Sequence, residues 1–321
     1  MAIAGYGVWA LAGQQISRQG LNTIFLWIYA KWYPKLQFST ESFKELFGFG
    51  WKLMASGLID TVWREIYQVV IGKCYAPATL GQYTRAQQFA SICSSNLTAV
   101  IQRVSYPVLS SVRHEKVRLK SGYKRIIKTS MLLSFTLMLG MAACAKSMIQ
   151  VLVGDQWLPA VPLLQIICFQ MMLYPLHSLN LNMLQVEGRS DLFLRLEIIK
   201  KAIAVGPILL GIFGSIYWML IGSVFTGFIS YYLNAYYSGP AIDYSIKEQI
   251  GDILPSFGIA ITMASIVYGM SFIPISPFIL FPLQIIIGAA IAISLSKKSE
   301  LPEYIELEGI VKGFFAKFKK H

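Results

Sequence analysis

Residues 48–73 read GFGWKLMASGLIDTVWREIYQVVIGK, and the middle of that stretch, residues 59–67 (IDTVWREIY), sets Asp60, Arg64 and Glu65 inside a largely apolar run. A charged residue at the centre of a membrane helix costs roughly 2.5–3.5 kcal/mol, so three of them facing lipid would cost about 8–10 kcal/mol. At about 100° of rotation per residue, Ser56, Gly57, Asp60, Thr61, Arg64, Tyr67 and Gln68 fall within an arc of roughly 140°, with Glu65 at its edge. Ala55, Leu58, Ile59, Val62, Trp63, Ile66, Val69 and Val70 fill the opposite arc. The segment therefore reads as a membrane helix with one face to lipid or packed protein. Its other face meets a wet cavity or a polar helix interface.

Composition extends that reading to the whole chain. Of 321 residues, 55% are hydrophobic and 14% charged, with a mean hydropathy of +0.55. A soluble domain carries about 25% charged residues. Apolar runs of about twenty residues, the length that crosses a bilayer as a helix, recur along the sequence. The fold class is an all-α polytopic membrane protein. The net charge of +12 does not point to nucleic acid, because the basic residues cluster in short connectors between apolar runs. Cys74, Cys93, Cys144 and Cys168 are widely spaced and read as apolar filler. His114 and His177 lack a neighbouring Cys or carboxylate cluster, so neither a metal nor a cofactor is expected. The opening MAIAGYGVWALAGQQ lacks the basic first region of a cleavable signal peptide. The sequence holds no GxSxG, Walker or HExxH pattern and no long loop outside, so catalytic residues are not expected and the protein reads as a non-enzyme.

Nine spans are expected, at about residues 8–32, 49–71, 79–106, 126–152, 161–186, 193–213, 216–237, 253–272 and 277–295. The third is too polar for hydropathy alone, and charge supplies its support. If all nine cross, nearly every basic connector shares one side, from Lys31 and Arg103 through Arg125 and Lys201 to Lys298 and the tail lysines. Lys73 and Lys146 stand on the other. The basic side is cytoplasmic, which puts the C-terminus inside and Met1 outside. Within the tail, Ile310, Val311, Phe314, Phe315 and Phe318 share a helix face among lysines, either a basic helix lying on the inner leaflet or a solubilising end.

Further polar residues fall inside spans. The third span carries Thr84, Arg85, Gln87, Gln88, Ser91, Ser95, Asn96 and Gln102 around an apolar face. Its Arg85 lies about seven residues in from the outer end, roughly 10 Å deep, at a depth similar to that of Arg64. Gln14, Gln15, Arg18 and Gln19 form a polar patch on the first span. Asp60 and Arg64, at i and i+4, can neutralise each other, and Glu65 can pair with Arg85 or Arg18. Intramembrane ionisable groups also mark substrate or ion paths. Several arginines facing one water-filled space suit an anionic substrate, above all a phosphate gripped in bidentate fashion. The candidate cavity residues are Arg64, Arg85, Arg18, Gln68 and Gln88, and the carboxylates available for ion coupling are Asp60 and Glu65. Pro175 is expected to bend the fifth span beside His177, and Trp157 in GDQWLP to sit at the outer interface.

The motifs LFGFGWKL, VVIGKCYAPATLGQYTRAQQFASI, VSYPVLSSVR, VLVGDQWLPAVPLLQI and QVEGRSDL occur in that order. Their order and spacing resemble those of polysaccharide flippases of the Wzx type, in the multidrug/oligosaccharidyl-lipid/polysaccharide exporter superfamily. The resemblance implies a MATE-like fold of two six-helix lobes in a V around a central cavity, with two extra helices. Laid on that pattern, residues 1–37 resemble the last helix of an otherwise missing N-terminal lobe and 38–240 the C-terminal six-helix lobe. Residues 241–295 resemble the extra pair, leaving 296–321 as a basic cytoplasmic tail. The implied activity is alternating-access transfer of undecaprenyl-diphosphate-linked oligosaccharide repeat units from the cytoplasmic to the periplasmic leaflet of a bacterial inner membrane. Arg64 and Arg85 fall where the family places cavity-lining cations. Expected partners are the lipid-linked oligosaccharide, membrane lipid, the missing lobe and polysaccharide polymerase machinery.

Three other readings stand beside it. A multidrug/cation antiporter of the same superfamily would favour acidic and aromatic cavity walls. A membrane glycosyltransferase or polymerase would want a sizeable catalytic loop. A non-transporting remnant of a flippase would carry these motifs without the activity.

Overall fold

The computed structural model describes residues 8–30, 39–40, 43, 47, 62–63, 65–112, 115–186 and 190–309. Asp60, Arg64, most of the second expected span, and the tail face of Ile310, Val311, Phe314, Phe315 and Phe318 lie outside the described residues. Among the described residues there is no strand, in agreement with the all-α expectation. Contacts divide the chain into two compact units, 1–61 and 62–321. In the first, helix α1 (Val8–Ala30) presents Gln14, Gln15, Arg18 and Gln19 as exposed side chains.

In the second unit, residues 65–74 are helical, and the chain turns at Tyr75 into α2 (Pro77–Ser111). Pro77 occupies the first turn, where a missing N–H costs nothing. Helix α3 (Lys116–Leu152) follows and ends at Gly154, whose φ of 94° is open to glycine and strained for other residues. A single 3₁₀ turn, Asp155–Trp157, leads to α4 (Ala160–Met171) and α5 (Tyr174–Val186). Helices α6 (Ser190–Phe213) and α7 (Ile216–Ser238) form a hairpin. Ser245 then caps α8 (Ile246–Met270), accepting from the Glu248 N–H at 3.2 Å in an S-x-x-E start. Helix α9 (Pro277–Lys298) precedes a short helical stretch, 302–309.

Among the described residues, five stretches are long and apolar enough to cross a membrane: α3, the α4–α5 pair taken as Ala160–Leu184, α7, α8 and α9. The chain is a multi-pass membrane protein. Helix α3 starts well before the expected residue 126, because the basic segment from Lys116 onward contains no proline and projects past the apolar run, with Gly122 carried inside the helix.

Helix α3 is the axis of this unit. It packs on α2, α4, α5, α8 and α9, most extensively on α8, where Phe135 meets Phe257 edge-on at 5.2 Å. Lipid is as apolar as leucine, so helix association here depends on close packing and hydrogen bonds rather than on expelling water. Between α6 and α7, a Cβ on Gly211 would lie 2.6 Å from Met219 Sδ and 3.0 Å from Met219 Cβ. Gln284 of α9 supplies a polar tie. Its Nε2 donates to Val267 O at 3.0 Å and to Ser271 Oγ at 2.9 Å, while its Oε1 accepts from Ser147 of α3.

The bend expected from Pro175 is a full break between α4 and α5 at Met172–Leu173. Proline has no N–H, so the Met171 carbonyl loses its usual partner four residues on. Ser94 Oγ of α2 donates to that carbonyl at 3.0 Å, and Ser134 Oγ of α3 donates to Met172 O at 2.7 Å. Neighbouring hydroxyls thus replace the lost backbone bonds at a depth where water is scarce.

Candidate functional site

Helix α2 has two unlike faces. Tyr83, Ala86, Ala90, Ser94, Thr98, Ser105 and Leu109 are buried against α3, α4 and α5. Thr84, Gln88, Ser95, Asn96, Gln102 and Arg103 are exposed, with Ile92 and Val100 among them. No Asp or Glu occurs between Pro77 and Ser111, so the polar groups of the exposed stripe are hydroxyl, amide and cation only. That suits an anion or a hydroxyl-rich ligand and gives a cationic one no counter-charge.

Arg85 sits at the end of this stripe and is half-buried. Its Nη1 donates to Gln88 Oε1 at 3.1 Å, one turn along the same helix. Its guanidinium carbon lies 4.9 Å from the centre of the Trp157 ring. The turn that carries Trp157 is itself fixed. The Trp157 N–H donates to Gly154 O at 3.1 Å, Gln150 Nε2 donates to Asp155 Oδ1 at 2.8 Å, and Gln82 Nε2 donates to Gln156 O at 3.3 Å. The guanidinium therefore lies over an aromatic face, and it keeps N–H groups beyond the one given to Gln88.

Of the other candidates, Gln68 is half-buried and Glu65 exposed on the 65–74 helix. Tyr75 at the end of that helix donates to Gly211 O. Arg18 is exposed on α1, within the other compact unit. Asp60 and Arg64 lie outside the described residues. The structure thus brings together Arg85 and Gln88.

Two features escaped the sequence reading. Trp157 was expected as a membrane anchor, not as the partner of Arg85. The second is a charge network at the other end of α3, where Lys120, Lys124 and Lys128 recur every four residues. Glu248 pairs with Lys120 at 3.0 Å and with Lys124 at 2.8 Å, and Asp252 pairs with Lys124 at 3.1 Å. Glu303 lies 3.7 Å from Lys128 and accepts from Ser256 Oγ at 3.3 Å, while Arg125 reaches Glu306 at 2.5 Å. Tyr244 donates to Asp252 Oδ2 at 2.8 Å. Burial, together with that carboxylate, pushes the Tyr244 hydroxyl far above its ordinary value, so it stays a donor. The four-residue lysine spacing was the available signal, but only the fold reveals its acidic partners.

The chain is 28% identical over 197 residues to the teichuronic acid biosynthesis protein TuaB of Bacillus subtilis (strain 168), covering 60% of this chain and 41% of that protein. It is 25% identical over 164 residues to the succinoglycan biosynthesis transport protein ExoT of Rhizobium meliloti (strain 1021), covering 51% of this chain and 33% of that one. The chain therefore spans less than half the length of these relatives. Its fold resembles the lipid II flippase MurJ in an inward closed conformation, with a TM-score of 0.63 and 17% identity over 82% of this chain and 56% of MurJ. That likeness concerns the architecture. Residues 1–162 match the family described as Polysaccharide biosynthesis protein, and the chain belongs to that family.

Proposed function

We propose that this chain forms the C-terminal lobe, and the helices flanking it, of a flippase for lipid-linked oligosaccharides. It moves undecaprenyl-diphosphate-linked repeat units from the cytoplasmic to the periplasmic leaflet of the inner membrane by alternating access. The observation that carries the reading is Arg85, held against Trp157 at the end of an acid-free polar stripe on α2. A guanidinium held over a ring keeps its remaining N–H groups for phosphate oxygens, and the amide and hydroxyl side chains along the stripe suit sugar hydroxyls. Because the ring does the positioning, little side-chain entropy remains to be lost on binding.

In this reading Arg64, Arg18, Gln68 and Gln88 are the further candidates for substrate binding, and Asp60 and Glu65 the candidates for coupling to an ion gradient. No chemical bond changes, so the protein is a transporter and not an enzyme. Residues 38–240 make the six-helix lobe, 241–295 the extra pair, and the C-terminus is cytoplasmic. The multidrug/cation antiporter reading is disfavoured by the lack of acid on α2.

The test is export in a host deleted for its own flippase, with the gene encoding this sequence supplied. Arg85→Ala abolishes surface polysaccharide at unchanged protein levels, and Arg85→Lys restores part of it if bare charge suffices. Full export by Arg85→Ala would show that the stripe is not a substrate wall.

A further inference from the structure

A cavity of about 280 Å³ opens at the end of α3 remote from the lysine network. Its walls are Lys146 and Gln150 of α3, the turn Ser271–Ile275 after α8, and Pro277 at the start of α9. Among the described residues no Asp or Glu lines it, whereas a larger cavity of about 540 Å³ at the opposite end is lined by Glu303 and Glu306. Lys146 is therefore the one formal charge among the described residues of this wall.

The polar tie through Gln284 forms the floor. Ser271 Oγ accepts from Gln284 Nε2 at 2.9 Å. A hydroxyl also has one hydrogen to donate, and that hydrogen is left for the cavity. Gln150 gives one amide hydrogen to Asp155 at 2.8 Å, which holds that carboxylate on the Trp157 turn and off the cavity wall, and keeps a second. Around the opening, Phe272 is 77% and Ile273 47% exposed. Bare apolar side chains around a polar, cationic hollow mark the depth where headgroups meet acyl chains.

We propose that this cavity binds a phosphate group, presented by a lipid headgroup of the adjacent leaflet. The Lys146 ammonium, the Ser271 hydroxyl and the Gln150 amide are the donors to its oxygens, and Phe272 borders the acyl chains. At roughly 30 Å³ per water the space equals about nine waters, enough for a phosphodiester headgroup and too little for an oligosaccharide. Neither Arg85 nor any other residue of α2 lines this cavity, and the proposal does not depend on transport.

The test is native mass spectrometry of the purified full chain with three probes: dihexanoyl-phosphatidylglycerol, inorganic phosphate and dihexanoylglycerol. The phosphatidylglycerol adduct is expected to be retained and the diglyceride lost. Lys146→Gln reduces the adduct about tenfold, the usual worth of one charge-assisted hydrogen bond. Lys73→Gln, which removes an exposed cation that does not line the cavity, leaves it unchanged. Phosphate retained alone and lost in Lys146→Gln supports the same chemistry with a free anion as its source. An adduct that survives Lys146→Gln, or equal retention of the diglyceride, overturns the proposal.

Discussion

Arg85 of α2 lies over the ring of Trp157 from the turn between α3 and α4, with its guanidinium carbon 4.9 Å from the ring centre. Such contacts are worth about 0.5–1 kcal/mol when exposed and about 2 kcal/mol when desolvated. Trp157→Ala should therefore lower export less than Arg85→Ala, and Trp157→Phe should retain most of it. In the Arg85→Ala background, Trp157→Ala should add little further loss. Independent, multiplying losses would show that the ring serves packing and not the charge.

The Pro175 break yields a coupling prediction. Ser94→Ala strands the Met171 carbonyl and should cost about 1–3 kcal/mol, seen as a lowered melting temperature in detergent. Pro175→Ala returns an N–H to that carbonyl. In that background Ser94→Ala should cost clearly less. An equal loss in both backgrounds refutes the substitution of hydroxyl for amide.

Within the charge network, burial separates two pairs that look alike in sequence. Arg125 is 68% exposed, so its pair with Glu306 is worth about 0–1 kcal/mol. The Glu303 side chain is 2% exposed, and leaving it without Lys128 should cost about 3–5 kcal/mol. Lys128→Ala should expose 302–309 to protease, while Arg125→Ala should not. Equal cleavage in both would place the attachment elsewhere, in the contacts of Leu301 with Leu132 and Ile259.

Gly211 faces Met219 too closely for a side chain. Gly211→Ala should cost about 1–3 kcal/mol through overpacking. Met219→Ala added to it should recover part of the loss. A melting temperature unchanged by Gly211→Ala would mean that α6 and α7 separate freely.

Coupling to an ion gradient requires a titratable group, and the proposal assigns this to Asp60 and Glu65. Export that persists with Asp60→Asn and Glu65→Gln combined removes both from the mechanism. Loss confined to one of them identifies the residue concerned.

What could be read without coordinates follows from period and from backbone chemistry. Helix α2 was expected despite its polarity, because the basic connectors around it fall on one side only if it spans. The break at Pro175 was legible from a missing N–H, but Ser94 and Ser134 were not legible as its remedy, since nothing in their spacing points at residue 171. The Arg85–Trp157 contact joins segments distant in sequence and leaves no periodic mark. Lys120, Lys124 and Lys128 read as solvated connectors until α8 and 302–309 bring carboxylates to them.

Helix α3 has 37 residues, about 55 Å at 1.5 Å each. A hydrocarbon core is about 30 Å thick, so close to half of this rod stands in headgroups or water. Lys120 to Lys128 occupy one projecting end, where counter-ions compete with Glu248 and Asp252. The α8–α9 pair is thus moored to the rod by a joint that dissolved salt can loosen, while its grip through Gln284 and Ser147 is a neutral hydrogen bond that salt does not screen. A change in ionic strength would act on one end of that pair and leave the other fixed, tilting it as a lever about its uncharged end.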